Sequence, residues 1–209
     1  AALARWKIDE KTPQPDGGRI SRYEDGSLNG ALVDRAKSLV PLNDLAPHIM
    51  AVGATYEQQL AAKVAEFQTL HAAGLTSVRL AGVGPRDIAL LADMRKRGLL
   101  TMRVNALLTS TSVGEPRQDE GDEWLRIGGV KLMTDGGFEG GWMREPYAEP
   151  YGENGTYRGL PLMSGDTLTS LVRTFNRAGW RVFTHAVGDA AIDQVLAAYE
   201  AADAQTCIA

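Results

Sequence analysis

The sequence has little of several residue types that mark particular classes of protein. It contains one cysteine, Cys207, so no disulfide can form within the chain, and a disulfide-stapled scaffold is excluded. It has no cluster of lysine and arginine, and its formal net charge is −4, so no nucleic-acid partner is expected. It has no apolar run long enough to span a bilayer, so we expect no membrane partner.

The two ends of the chain also lack familiar features. Residues 1–10 have neither the apolar core nor the cleavage site of a signal peptide, and a cytoplasmic location is therefore predicted. The chain does not begin with methionine, and residues 201–209 stop where a new apolar segment could begin. We expect an internal fragment of a longer protein, and any export signal would then precede residue 1.

What the chain does contain is an alternation of strands and helices. Hydrophobic residues make up 44% and charged residues 23% of the chain, which is typical of a globular protein with one core. Continuous apolar strands separated by amphipathic helices indicate a parallel sheet covered by helices. The predicted strands lie near residues 76–81, 99–108, 127–133 and 180–185.

Two architectures contain such a sheet. The glycines of "LAGVGPRD" follow the first strand at the wrong spacing for a dinucleotide-binding turn, so a doubly wound fold is disfavoured. A (β/α)₈ TIM barrel takes about 250 residues, and four strand–helix units are half of one. The fold class predicted is α/β, a partial (β/α)₈ barrel.

Local signals place a boundary near residue 54. Asp25-Gly26 is a favoured two-residue turn and predicts a β-hairpin over 19–34. Thr55 and Gln58 have the spacing of a capping box and begin a helix that ends at Gly74. We predict an inserted segment over 1–54, with the hairpin and short helices, and the barrel part over 55–209.

Lys131 is the most unusual residue of the predicted sheet. It lies within the apolar strand "GGVKLMTDGG", where a lysine is rarely buried without a partner. It could point outward to solvent. If it points into the mouth of a barrel, desolvation lowers its pKa, and the neutral amine can form a Schiff base or take up CO₂ as a carbamate that binds metal.

His185 ends the strand near 180–185, the position that Lys131 occupies on a neighbouring strand. It is either a hydrogen-bonded histidine at a strand end or a metal ligand oriented by a second group. Asp135 and Asp189 are candidates for that group, although helix capping suits Asp189 better. The other two histidines do not extend the cluster: His71 is predicted to be structural on its helix, and His48 to be exposed.

The loop from Gly136 to about residue 163 is rich in glycine and aromatic residues. Loops of this length in compact domains are usually lids or binding segments. Trp142, Arg144 and Tyr147 are therefore candidates for substrate binding. The alternative is a loop packed against its own domain or another subunit.

Two segments resemble the metal-dependent amidohydrolase superfamily: "GGVKLMTDGGFEGGWMREPY" and "VFTHAVGDAAIDQVLAAYEAA". The branch they are most similar to includes N-substituted formamide deformylases. Residues 1–36 resemble that branch's insertion after the first barrel strand, and "AAGLTSVRLAGV" its second strand. By this resemblance the chain holds about strands two to five of the barrel.

The resemblance implies a metal site made by an H-x-H pair on strand one, a lysine, often carboxylated, on strand four, histidines on strands five and six, and an aspartate on strand eight. Lys131 matches the lysine and His185 the histidine of strand five. The sequence has no H-x-H and no histidine after His185. The implied function is hydrolysis of amide or formamide C–N bonds of a small molecule with Zn²⁺ or another divalent metal, with Lys131, His185 and Asp135 as catalytic candidates. The fragment alone is expected to be inactive and to bind no metal tightly.

Two other functions are compatible with the sequence. One is a Schiff-base lyase that uses Lys131, and the other is a half-barrel without catalysis. A partial barrel would also expose strand edges near 76–81 and 180–185, and an apolar face with Val78, Val104 and Leu132 as candidates. We therefore expect a homo-oligomer, or assembly with the remainder of the same barrel.

Overall fold

The computed structural model describes residues 3–40, 54–114, 117–138, 140–148, 155–202 and 207–208. The chain divides into two compact units. We call them the hairpin unit, Ala1–Val52, Met133–Thr169 and His185–Glu200, and the sheet unit, Gly53–Leu132, Ser170–Thr184 and Ala201–Ala209. The predicted domains, 1–54 and 55–209, remain a prediction. In the described ranges, no helix combines the length and the apolar character that crossing a membrane requires.

The hairpin unit begins with a 3₁₀ turn, Leu3–Trp6, and a hairpin of β1, Gly18–Arg22, and β2, Leu28–Asp34, followed by a second 3₁₀ turn, Arg35–Leu39. The two strands are antiparallel, as predicted. Its small core has five buried residues: Leu3, Ile8, Ile20, Ala36 and Val40. The unit thus has its own apolar centre.

The turn of the hairpin differs from the prediction. The Tyr23 amide donates to the Ser27 carbonyl at 2.8 Å, and the Gly26 amide donates to the Tyr23 carbonyl at 3.0 Å. The loop is therefore Glu24–Gly26, three residues rather than two. Gly26 has φ 85°, the left-handed conformation that closes a three-residue loop of this kind.

The main sheet has the strand order β3-β4-β5-β6-β7, and the pairs β3–β4, β4–β5 and β6–β7 are parallel. The strands are β3 Ser77–Val83, β4 Arg103–Thr109, β5 Leu125–Met133, β6 Val182–His185 and β7 Cys207–Ile208. β7 was not predicted, and it pairs with the strand expected to form an edge, so that expectation is wrong. The last residues of β5 and β6, Met133 and His185, belong to the hairpin unit.

Four helices follow the predicted pattern: α1 Tyr56–Ala72, α2 Pro85–Lys96, α3 Gly165–Arg177 and α4 Asp189–Ala202. The capping box of α1 is present, since the Gln58 amide donates to Thr55 Oγ1 at 3.3 Å and the Thr55 amide donates to Gln58 Oε1 at 2.8 Å. Each side chain accepts from a backbone N–H that has no partner within the first turn of the helix. The start of α1 is therefore encoded locally.

Helices α1 and α2 cover one face of the sheet through a single apolar cluster: Leu60, Phe67, Leu91, Met94, Leu100, Met102 and Val104. Phe67 is fully buried, which contributes about 1.5–3 kcal/mol relative to an exposed ring. Leu100 and Met102 belong to this cluster and precede β4, so the strand predicted from residue 99 begins only at Arg103.

The two faces of β3 and β4 are assigned differently from the prediction. Val78 and Val104 pack into the helix cluster, whereas Ser77, Arg79 and Ala81 are exposed on the opposite face of β3. Leu132 is buried as well. The expected open apolar face is therefore not made by Val78, Val104 and Leu132.

Candidate functional site

Asp135 is a buried carboxylate that holds two distant turns together within the hairpin unit. It is fully buried, and it follows β5 by two residues. Its Oδ2 accepts from the amides of Trp142 at 2.9 Å and Gly188 at 2.8 Å, and its Oδ1 accepts from the amide of Val187 at 3.0 Å. These charge-assisted bonds attach the start of the long loop to the turn after β6.

His185 lies beside this carboxylate but is bonded to another group. Its side chain is 27% exposed, and Nε2 is 3.0 Å from the Gly136 carbonyl oxygen and 3.9 Å from Asp135 Oδ1. The longer distance exceeds a hydrogen bond. A carbonyl only accepts, so Nε2 carries the proton and donates, which leaves the Nδ1 lone pair available to a metal ion or a proton.

The backbone of His185 is held as firmly as its ring. Thr134 donates to the His185 carbonyl twice, from its amide at 3.1 Å and from its hydroxyl at 2.6 Å. Asp135 then binds the amides that follow His185, so it fixes the turn and does not contact the imidazole at hydrogen-bond distance. The ring partner is the Gly136 carbonyl and not one of the predicted carboxylates.

Lys131 belongs to the sheet unit and lies opposite Thr109 on β4. It is half-buried, and burial lowers the pKa of its ammonium. Within the described part of the sheet unit, no carboxylate makes an ion pair with it. A Cβ on Gly129, two residues earlier in β5, would lie 2.7 Å from the Phe183 ring, so Gly129 and Phe183 share the face on which Lys131 lies.

The long loop is packed within the hairpin unit over its described residues. Arg144 Nε donates to Asp193 Oδ2 at 2.6 Å, and the Arg144 amide donates to Asp189 Oδ1 at 2.8 Å. Asp193 raises the pKa of Arg144, and backbone hydrogen bonds lower the pKa of Asp189. Arg144 is therefore bound to the start of α4. This segment fits the alternative of a loop that packs against its own domain.

The aromatic candidates differ in their surroundings. Tyr147 stacks on the buried Tyr157 with ring centroids 5.7 Å apart, and its hydroxyl is 2.8 Å from the Phe138 carbonyl. Trp142 is half-buried, with its amide on Asp135. Phe138 exposes 89% of its surface. The role of Trp142, Arg144 and Tyr147 in substrate binding stays a prediction.

The remaining histidines do not join this site. Both ring nitrogens of His71 are 3.0 Å from protein atoms, the Leu75 carbonyl and the Thr101 hydroxyl. A ring held at both nitrogens has no free position for a ligand, in agreement with a structural role. His48 lies outside the described residues. Within those residues, no three histidine, cysteine or carboxylate side chains lie close enough together to hold a metal ion.

Two residues that shape the surroundings of His185 are absent from the set predicted from sequence. Gly136 supplies the carbonyl that orients the ring, and Asp34, at the end of β2, lies against Gly136. The pairs of glycines in "GGFEGG" were the available signal, because glycine marks places where other atoms approach the backbone closely. Nothing in the sequence indicated which residue approaches them.

Comparison with known proteins places the chain in a family. The model of the amidohydrolase family matches residues 1–206. The chain belongs to the amidohydrolase family. It is 29% identical over 205 residues to YtcJ of Bacillus subtilis (strain 168), which is named as an amidohydrolase, and 26% identical over 205 residues to LONG AFTER FAR-RED 3 of Arabidopsis thaliana.

This amidohydrolase chain is shorter than its relatives. The two alignments take in 96% and 90% of the chain but 37% and 34% of the related proteins. The chain therefore spans about a third of the length of these curated relatives.

Two crystal structures share its fold, and both are described as uncharacterized metal-dependent hydrolases. They come from Pyrococcus furiosus and Pyrococcus horikoshii OT3, with TM-scores of 0.68 and 0.69 and sequence identities of 24% and 23%. Each match covers 94% of this amidohydrolase chain and 40% or 38% of the other chain. The likeness shows an α/β fold with a parallel sheet, compatible with part of a TIM-barrel-like domain.

Proposed function

We propose that this chain contributes Lys131 and His185 to the metal centre of a hydrolase that cleaves amide or formamide C–N bonds of a small molecule. Family membership supports a hydrolase. The half-buried position of Lys131 within a strand supports its assignment to the metal centre. The lysine lies on the sheet face shared by Gly129 and Phe183, and His185 follows Phe183 by two residues in β6. Alternate residues of a strand face the same side, so Lys131 shares the face of Gly129 within the sheet unit.

The donors present fit part of a metal site. His185 has a free Nδ1 because its Nε2 donates to a carbonyl, and Lys131 becomes an oxygen donor once it is carboxylated. A catalytic zinc site uses three protein ligands and a water, so the described residues supply too few. A bound divalent ion, Zn²⁺ by default, would supply an acidified water and a polarised substrate carbonyl. The other ligands would come from residues beyond those described, for example from further strands that complete a barrel.

Lys131 is suited to carboxylation because burial lowers the pKa of its ammonium and so favours the neutral amine. The amine nitrogen attacks the carbon of CO₂, a C–N bond forms, one C=O π bond opens onto oxygen, and the nitrogen loses a proton to solvent. The product is a carbamate anion with two oxygen donors. Asp135 is assigned a positioning role, since its oxygens are occupied by backbone amides.

We expect a carbamate resonance in the ¹³C NMR spectrum of this chain after equilibration with ¹³C-labelled bicarbonate above pH 8. The signal should weaken as the pH falls, because protonation of Lys131 removes the nucleophilic amine. Lys131→Ala should abolish it, and Lys96→Ala, on the exposed end of α2, should leave it unchanged.

A carbamate signal that survives Lys131→Ala, or none in the unaltered chain, would contradict this assignment. Capture of a carbonyl compound on Lys131 by borohydride, without any carbamate, would instead favour the Schiff-base lyase.

We also propose that the chain assembles through the edge of β3, with a second copy or with the rest of a barrel. β3 has one neighbour in the described sheet, β4, and an unpaired strand edge invites pairing with another chain. Sedimentation at micromolar concentration should therefore detect a dimer. Ala81 is exposed on β3, and Ala81→Lys should weaken that dimer. Ala89 is exposed on α2, and Ala89→Lys should leave the dimer unchanged. A monomer that unfolds cooperatively would rule out a second copy as the partner.

A further inference from the structure

We propose that Asp34 is a positioning residue for His185, and that it acts by fixing the turn whose carbonyl accepts from the imidazole. Asp34 is the last residue of β2, and it is separated from His185 by 151 positions of sequence. The inference deepens the proposed function, because an oriented His185 is the metal donor assigned above. The contacts that carry it lie within the hairpin unit.

Asp34 has an unusual backbone conformation. Its φ is 48° and its ψ is −122°, a combination that side-chain-bearing residues rarely adopt. Such residues persist where the surroundings over-determine them, and they concentrate at functional sites. Lys7, with φ 58°, and Asp119, with φ 64°, are the other non-glycine residues with positive φ in the described ranges.

The Asp34 carboxylate lies against the glycine-rich turn that follows β5. A Cβ built on Gly136 would lie 2.5 Å from Asp34 Oδ2 and 2.7 Å from Oδ1, and one built on Gly140 would lie 2.5 Å from Oδ2. Real Cβ atoms do not approach other atoms so closely. The carboxylate therefore occupies the space that side chains at both positions would need, and it packs directly against the turn.

That turn holds the imidazole. Gly136 accepts from His185 Nε2 at 3.0 Å, and its amide donates to the Gly140 carbonyl at 3.3 Å. Asp34 thus contacts both ends of a short turn whose first residue sets the ring of His185. Glycine is the most flexible residue, so a turn built on Gly136, Gly137 and Gly140 needs external contacts to keep one carbonyl in place. Asp34 is such a contact.

The small number of histidines makes a direct test possible. The chain has three: His48, His71 and His185. The probe is the imidazole N–H proton in a chain labelled with ¹⁵N-histidine at pH 8, observed by NMR. A hydrogen-bonded N–H exchanges slowly with water and is visible, and His185→Gln identifies the His185 signal. The ring of His71, bonded at both nitrogens in the sheet unit, reports whether the fold as a whole is intact.

We expect Asp34→Gly to remove the His185 N–H signal while the His71 signal remains. Glycine tolerates the backbone conformation, so the loss would report the missing side chain and not added strain. Asp34→Asn, which keeps the shape and tolerates positive φ, should restore the signal. Lys7→Gly is the matched control, since it also places glycine at a positive φ in the hairpin unit, and it should leave the signal unchanged.

The proposal fails if Asp34→Gly leaves the His185 signal in place, if Asp34→Asn also loses it, or if Lys7→Gly abolishes it equally. None of these measurements involves metal or turnover. A failed metal-centre assignment would appear as a missing carbamate on Lys131, while the effect of Asp34 on His185 would persist.

Discussion

Asp135→Ala should lower the free energy of unfolding by about 3–5 kcal/mol. The carboxylate is fully buried and accepts from the amides of Trp142, Val187 and Gly188. Alanine leaves these donors without a partner in a buried site. Each hydrogen bond to a charged group is worth about 1.5–3 kcal/mol, and partial relaxation keeps the sum below simple addition.

The measurement is urea unfolding followed by tryptophan fluorescence, with Asp189→Ala as the matched control. Asp189 accepts from the amides of Arg144 and Ala190, both at 2.8 Å, but its side chain is 45% exposed. Water can replace it, so the control should lose about 1 kcal/mol or less. Equal losses in the two variants would mean that Asp135 is not the anchor of the two turns.

The purified chain of 209 residues should hydrolyse no amide or formamide, with or without added Zn²⁺. Only His185 and a carboxylated Lys131 are proposed as donors, and the sequence contains no H-x-H pair. A catalytic zinc needs three protein ligands and an open position for water. Losing the several kcal/mol that a metal ion supplies to the transition state lowers the rate by about 10³-fold or more.

The assay is a panel of N-substituted formamides and simple amides with the metal content measured in parallel. Metal-dependent turnover that disappears in Lys131→Ala and persists in Lys96→Ala would overturn the prediction. It would also locate a complete site in residues that we have not assigned. Turnover equal in both variants would point to a contaminant.

Much of the secondary structure follows from local sequence. The start of α1 at Tyr56 is determined by Thr55 and Gln58, which lie within one turn of each other, and the end of α2 by Gly98, which has φ 70°. The apolar runs of β3, β5 and β6 were placed within two residues of their observed limits. Interactions across three or four residues suffice for these features.

The limits of local reasoning appear where two segments meet. Residues 99–102 are as apolar as a strand, but Leu100 and Met102 complete the helix cluster, so β4 starts at Arg103. Val78 and Val104 were assigned to the wrong face of the sheet. Alternation gives two faces, but only the packing of α1 and α2 decides which of them is covered.

For the candidate site, the sequence by itself placed Lys131 two residues before the end of one strand and His185 at the end of another, because polar residues interrupt apolar runs there. Only the tertiary structure decided what surrounds His185. Gly136 supplies its hydrogen-bond partner, Asp135 fixes the turn that follows it, and Asp34 packs on the glycines from a distant hairpin. Contacts between residues so far apart in the chain depend on the path of the backbone, which no local pattern specifies.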